Sequence, residues 1–317
     1  QCFSIERFKF WAQLMFEFYI TYEYWFAAVQ LGLAMLGMGA TLGVKDFAAV
    51  ASNPRGILVG LTLQLVGVPL LAALFLWGLE LDTGVAIGLA LCAAIPGGTM
   101  SNVFTFLGRG HVALSIALTG LTTVACLITT PMIMTMLVEQ HLPADFVMPA
   151  GQIAREIALI LLLPLALGML CLHWFADFAP RFSKVCIRIS VFTILLIVIG
   201  ATGSGRVDLE RFGQYNLMIV MLFLAAVSIL SWLIPHLCKV KRPDNTAINI
   251  EATVRNSNLG LLIKASLFPA AVGVSDPIGD NILFTVLAYG GAALLVGVGQ
   301  IYLHRYRNSN KTIRYSS

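Results

Sequence analysis

Between residues 250 and 258 the chain reads Ile-Glu-Ala-Thr-Val-Arg-Asn-Ser-Asn, inside a stretch that is otherwise apolar from Ala247 to Phe268. It therefore sets a carboxylate (Glu251), a guanidinium (Arg255), two amides and two hydroxyls where a membrane helix would carry none. An ionisable group at bilayer depth costs about 2.5–3.5 kcal/mol on insertion scales and persists where it meets a partner, an ion or a wet cavity. The plainest reading is that Glu251 and Arg255, one helical turn apart, neutralise each other. The amides and hydroxyls crowded beside them point further, to a transport site. A second polar interruption, Ile95-Pro96-Gly97-Gly98-Thr99-Met100-Ser101-Asn102, breaks the apolar run from Gly84 to Leu107. Pro removes a backbone donor and Gly weakens helix, so the hydrogen-bond ladder opens there. Broken backbone is tolerated in a membrane only where protein or water satisfies the freed groups. Two interrupted helices in corresponding halves of a chain are the best sequence pointer to a transporter site.

The elements that must position these stretches are membrane helices. The 317 residues are 58% hydrophobic and 11% charged, and mean hydropathy is +0.86. A soluble domain carries about 25% charged residues. Nine apolar runs have the length needed to cross ~30 Å of hydrocarbon. They are 24–43, 56–77, 84–107, 110–138, 150–172, 187–203, 214–237, 247–268 and 278–304. Pro69, Pro131 and Pro164 fall inside three of them, where kinks are expected. Residues 1–23 are aromatic-rich but interrupted by charge, and are expected to form an interfacial segment. A remnant of a spanning helix is the second reading of that stretch. The basic tail, 305–317, is expected to be disordered and to determine topology.

Basic residues support this layout. Thirteen of the 20 Lys and Arg lie in alternate loops and the tail, against four on the other side (Arg7, Lys9, Arg206, Arg211). By the positive-inside rule the N-terminus is expected outside and the C-terminus in the cytoplasm, and a plasma or inner membrane is the expected location. Because these charges sit in loops, the net charge of +4 gives no ground for a nucleic-acid partner. The six cysteines are scattered without metal or redox spacing and act as small hydrophobes.

The third and eighth runs are the interrupted ones, and each is followed by one more. The chain therefore divides as four plus five helices, two repeats of five of which the first lacks its opening helix. The repeats cover 24–138 and 150–304. An odd-numbered repeat places its second copy upside down and brings the two breaks together near the midplane.

Gly37-Met38-Gly39 with Thr41-Leu42, Pro96-Gly97-Gly98-Thr99 followed by Ser101-Asn102, the Arg109-Gly110 turn, and Glu251 followed by Asn256-Ser257 together resemble the bile acid:sodium symporter family. The resemblance runs from about Gly32 to about Phe268. It implies an all-α polytopic fold of inverted repeats, with two discontinuous helices crossing in a core domain that packs against a panel. The core would be 56–138 and 214–304, the panel 24–43 and 150–203.

The resemblance also implies a secondary carrier of organic anions, such as bile acids or small carboxylates, working by alternating access. Its first sodium site would be Ser101, Asn102, Ser115, Thr119 and Glu251. Ser115 and Thr119 are four apart, on one helix face, although each alone could simply bond back to the preceding turn. The second site would use Gln64, Glu251, carbonyls near Ala252 and Val254, and the side chain at 255. Gln64, a lone amide in an apolar helix, could equally be a packing hydrogen bond. Substrate would lie at the crossover, touching Thr99 and Asn256, where helix N-termini favour an anion. Ala288-Tyr289-Gly290 stands where some members carry polar cavity residues, so the substrate's size and identity stay open.

Position 255 departs most sharply, since members usually carry a neutral Gln there. Arginine offers donors only and cannot ligate Na⁺. The guanidinium could replace the second sodium and leave a carrier coupled to one Na⁺, which is the expectation. It could instead neutralise Glu251 and give a proton-coupled or uncoupled carrier, or it could clamp a substrate carboxylate. Outside the carrier class, Ser101 with His111 could suggest a nucleophile and base. Ser101 lacks a Gly-x-Ser-x-Gly context and His111 follows a helix-end turn, so an enzyme is not expected. A channel or receptor is the nearer rival, though no repeated pore motif or signalling domain is present.

Overall fold

The computed structural model describes residues 2–43, 54–141 and 147–312, all of them helical or connecting. The long helices are α1 Cys2–Gly39, α2 Pro54–Gly78, α3 Thr83–Ala94, α4 Thr99–Leu107, α5 Val112–Val138 and α6 Ala150–Trp174. They continue with α7 Ala179–Gly203, α8 Gln214–Leu237, α9 Arg242–Thr253, α10 Ser257–Leu267 and α11 Pro277–Thr312. Among the described residues, α2, α5, α6, α7, α8 and the Pro277–Tyr306 part of α11 are six helices long and apolar enough to cross a membrane. The third and eighth runs of the sequence are each split in two, as α3/α4 and α9/α10.

The expected interfacial stretch and the first expected span form a single helix, α1, whose backbone leaves helical geometry at Tyr22 (φ −111°, ψ 17°). Phe16 and Tyr19 pack directly on Gly203 and Gly200 of α7, which have no side chain to hold them off. Gln1 and residues 44–53, with Lys45, lie outside the described residues. The basic tail is a correction. It was expected to be disordered from its charge, but α11 continues as helix to Thr312, and only 313–317 lie outside the description. Once a helix is nucleated each further residue adds a bond at little cost, and no Gly or Pro intervenes after Gly299. Ahead of Pro69 and Pro164 the helices contain π turns, Leu63–Gly67 and Ile157–Leu162, whereas Pro131 sits within continuous α-helix.

Packing divides by helix. α1 lies against α6 and α7, while α3 lies between α5 and α11, and α9 against α8. Gly39 and Gly168 let α1 and α6 backbones touch, since a Cβ on either would overlap a carbonyl of the other helix. The most enclosed helix is α3, where every residue from Gly84 to Ala94 is buried. Asp82 caps it, accepting from the Gly84 amide at 2.9 Å.

Candidate functional site

The two interruptions have different local causes. Ile95 is extended (φ −78°, ψ 152°), as the residue before a proline must be, and α4 restarts at Thr99 behind Gly98. The second break contains neither Gly nor Pro. There α9 ends at Thr253, Val254 leaves helical geometry (φ −93°, ψ 87°), and Asn256 stands at the cap position of α10.

The breaks cross and satisfy each other. Gly97 and Arg255 form an antiparallel bridge in which the Gly98 amide donates to Val254 O at 3.0 Å and the Asn256 amide to Pro96 O at 2.9 Å. Thr253 O, freed at the end of α9, accepts from the buried Tyr289 hydroxyl at 3.1 Å. A Cβ at Gly97 would fall within the Glu251 carboxylate, so only glycine permits this approach.

Glu251 is fully buried beneath the bridge. Ser101 Oγ lies 2.5 Å and Ser115 Oγ 2.9 Å from its Oε2, and Thr119 Oγ1 lies 2.5 Å from Oε1. Further oxygens crowd in. Ser101 Oγ is also 2.5 Å from Gly98 O, and Thr119 Oγ1 is 3.0 Å from Ser115 O and 3.4 Å from Asn102 Oδ1. Thr105, absent from the sequence expectation, adds its hydroxyl 3.2 Å from Ser115 Oγ. Each hydroxyl has one proton, so this cluster holds more acceptors than donors. No Lys, Arg or His among the described residues makes an ion pair with Glu251. All five residues expected at the first sodium site thus meet, around a carboxylate with no cation of its own.

Arg255 does not pair with Glu251, which removes the one-turn neutralising pair read from the sequence. Its guanidinium instead gathers carbonyls. Nη1 donates to Ala93 O at 2.7 Å and Ile95 O at 2.6 Å, with Cys92 O at 3.5 Å. Nε donates to Ala252 O at 3.2 Å and Nη2 to Gln64 O at 3.4 Å. These are the orphan carbonyls at the end of α3, the end of α9 and the π turn of α2. Of the second-site groups, Ala252 O is therefore engaged by Arg255 and Val254 O by Gly98. The Gln64 side chain is buried with neither its oxygen nor its nitrogen bonded.

Beside the crossing is a cavity of about 470 Å³. Thr99, at the start of α4, and Asn256 and Ser257, at the start of α10, line it on one side. Ala34 of α1 and Val191 and Ile194 of α7 line the other, with Leu287 and Gly290 of α11. Asn256 Oδ1 and Ser257 Oγ are buried without a bonded partner. Two helix N-termini thus carry partial positive charge to one wall of a mainly apolar chamber. Within Ala288-Tyr289-Gly290, Gly290 lines the chamber and Tyr289 holds the second break. The Ser101–His111 pairing is not formed. His111 Nδ1 lies 2.6 Å from Asp244 Oδ1, and Ser101 is engaged by Glu251.

Residues 28–209 match the Sodium Bile acid symporter family. An uncharacterized sodium-dependent transporter of Bacillus subtilis (strain 168) is 30% identical over 253 residues, 80% of this chain and 78% of that protein. A probable chloroplastic sodium/metabolite cotransporter of Oryza sativa subsp. japonica is 30% identical over 269 residues, 84% of this chain but 62% of its own length. A sodium-dependent organic anion transporter of Bos taurus is 29% identical over 198 residues, 62% of this chain and 51% of that protein. The matched span takes in the first break, and the longer pairwise matches cover most of the chain. The chain belongs to the sodium bile acid symporter family, a family of multi-pass membrane transporters.

Proposed function

We propose that this protein is a secondary carrier that moves an organic anion together with one Na⁺, by alternating access of a core against a panel. The observation that carries this reading is the oxygen cluster around Glu251, a buried carboxyl group with a surplus of acceptors about it and no ion-pair partner among the described residues. A buried carboxylate left so is costly, and a hard cation that takes oxygen ligands supplies what is missing. Ser101, Asn102, Ser115, Thr119 and Glu251 are the groups that would hold it. The relatives named as sodium-dependent support the same ion.

The count of one ion rests on Arg255. Its guanidinium stands among the carbonyls of Gln64 and Ala252, where a second Na⁺ would otherwise sit, and its fixed charge would repel one. Neutralisation of Glu251 by Arg255 loses support because the two make no ion pair. Arg255 does border the cavity, but it is 5% exposed and its nitrogens are turned to backbone carbonyls, which favours the structural role over a substrate clamp.

In the proposed cycle the anionic end of the substrate meets the N-termini of α4 and α10 through Thr99, Asn256 and Ser257, and its apolar body lies along α1, α7 and α11. α2–α5 and α8–α11 act as the core, and α1, α6 and α7 as the panel. Both crossing breaks belong to the core, so sodium at Glu251 and substrate at the bridge are coupled through the same few residues. Core and panel would each contain parts of two inverted repeats, 24–138 and 150–304.

The test is a thermal-shift screen of the purified protein against organic anions, with and without Na⁺. A ligand that binds the native state raises apparent stability by mass action. An anion that stabilises more strongly with Na⁺ than with K⁺ is the expected result. Stabilisation by anions that is indifferent to Na⁺ would contradict the coupling.

A further inference from the structure

Away from the crossing, a second group of buried charges lies where α1 bends. Glu23, next to the non-helical Tyr22, is 5% exposed, and Lys264 of α10 is 1% exposed. Lys264 Nζ donates to both Glu23 oxygens, at 3.0 and 2.9 Å. Arg206, in the connection after α7, places Nη1 2.9 Å from Glu23 Oε1, as an ion pair without hydrogen-bond alignment. Its Nε donates to Asp280 Oδ1, in the first turn of α11, at 2.6 Å. Nearby, Ser266 of α10 donates to Glu156 of α6 at 3.2 Å, and Tyr24 of α1 donates to the same carboxylate at 2.7 Å. Burial works against the Arg206 charge, yet the Glu23 and Asp280 carboxylates more than offset this and raise its pKa above the ordinary arginine value.

The position of this network relative to the cavity is the same on every element. Cavity residue Gln30 follows Glu23 by seven positions on α1, and Val198 precedes Arg206 by eight. Leu261 precedes Lys264 by three on α10, and Val286 follows Asp280 by six on α11. At about 1.5 Å per helical residue, the charges lie roughly 4–12 Å beyond one end of the chamber. They join α1, α6 and the end of α7 to α10 and α11.

We infer that the Glu23–Lys264–Arg206–Asp280 network is a latch that shuts the cavity at the end of the 204–213 loop. It is made while panel and core are apposed there and broken when the cavity opens to that side. The inference rests on the carrier reading for its two moving parts. Charges suit such a joint better than apolar packing does. A buried ion pair gains little net free energy over its separately hydrated partners, so admitting water exchanges one satisfied state for another. Removing one partner leaves the other charge buried and uncompensated, which favours the open, hydrated state.

The test labels an Ile194→Cys variant, at a half-buried position that lines the cavity, with a membrane-impermeant thiol reagent. Reagent is applied from each side of the membrane, and labelling of the native cysteines is subtracted. Adding Glu23→Gln should raise the labelling rate several-fold from the side of the 204–213 loop and lower it from the opposite side. Asp280→Asn, which removes the most exposed partner, should do the same more weakly, and Lys264→Arg should label as the parent does. A purely structural network would lose thermal stability on substitution with no change in which side labels faster. That result in Glu23→Gln would overturn the latch, as it would in Asp280→Asn should Glu23→Gln fail to fold. Labelling needs neither substrate nor Na⁺. If no anion is found to be carried, the carrier reading fails while the side preference still decides the latch.

Discussion

Two buried carboxylates in this molecule are handled in opposite ways. Glu23 is ringed by Lys264 and Arg206, so its cations are part of the chain. Glu251 is ringed by Ser101, Ser115 and Thr119, and no basic side chain among the described residues pairs with it. Hydroxyls can turn a proton toward a carboxylate or a lone pair toward a metal ion, whereas an ammonium can only donate. The first arrangement is complete as it stands and changes only by separating its parts. The second is adaptable, because each hydroxyl can turn either its proton or its lone pairs inward. Arg255, lying between the two breaks, shows a third use of charge, a cation spent on backbone carbonyls.

The contrast breaks most completely at Gly97. Gly97→Leu would drive a side chain into the Glu251 carboxylate and part the bridge, so it should abolish transport and reduce the yield of folded protein. Folded, transporting Gly97→Leu protein in an uptake assay would refute the crossing. Glu251→Gln comes next. It keeps the volume and removes the charge, so the protein should fold while accumulation of substrate against its gradient is lost. Parent-like accumulation would remove Glu251 from the coupling. Arg255→Gln should act in two ways. It leaves the carbonyls of Ala93 and Ile95 without their donor, at about 1–3 kcal/mol for a buried unsatisfied group, so the melting temperature should fall in K⁺ and recover in Na⁺ as an ion takes the vacated place. A melting temperature unmoved by the choice of cation would show that Arg255 does not occupy an ion site. Smallest is Ser115→Ala, one oxygen among several. It should raise the Na⁺ concentration for half-maximal uptake by a few-fold and leave the maximal rate near that of the parent.

Much of this was legible in the residues. Pro96-Gly97-Gly98 announced its break because proline and glycine act locally, and the oxygen set around Glu251 followed from the resemblance together with the spacing of Ser115 and Thr119. The second break was visible as polarity, not as backbone chemistry, because no glycine or proline marks it. What stayed hidden was pairing at long range. Glu23 and Lys264 are 241 positions apart, and nothing in either neighbourhood names the other. Local spacing also misled, since Glu251 and Arg255 sit one turn apart in sequence but the helix ends between them and turns their side chains to different partners. In the sequence Tyr289 reads only as a departure from a polar cavity position, whereas in the fold its hydroxyl holds the end of α9. Continuation of α11 past His304 was missed because a basic composition says little about whether a helix already under way will stop.

The most direct test of the central claim is the Na⁺ activation curve of uptake by the unaltered protein in proteoliposomes, with the substrate found by thermal shift held at saturation. One ion at Glu251, with Arg255 in the place of a second, predicts a hyperbolic curve with a Hill slope near one. A slope clearly approaching two would mean that Arg255 leaves a second sodium site intact, and uptake indifferent to Na⁺ would contradict the reading of the Glu251 oxygens as a cation site.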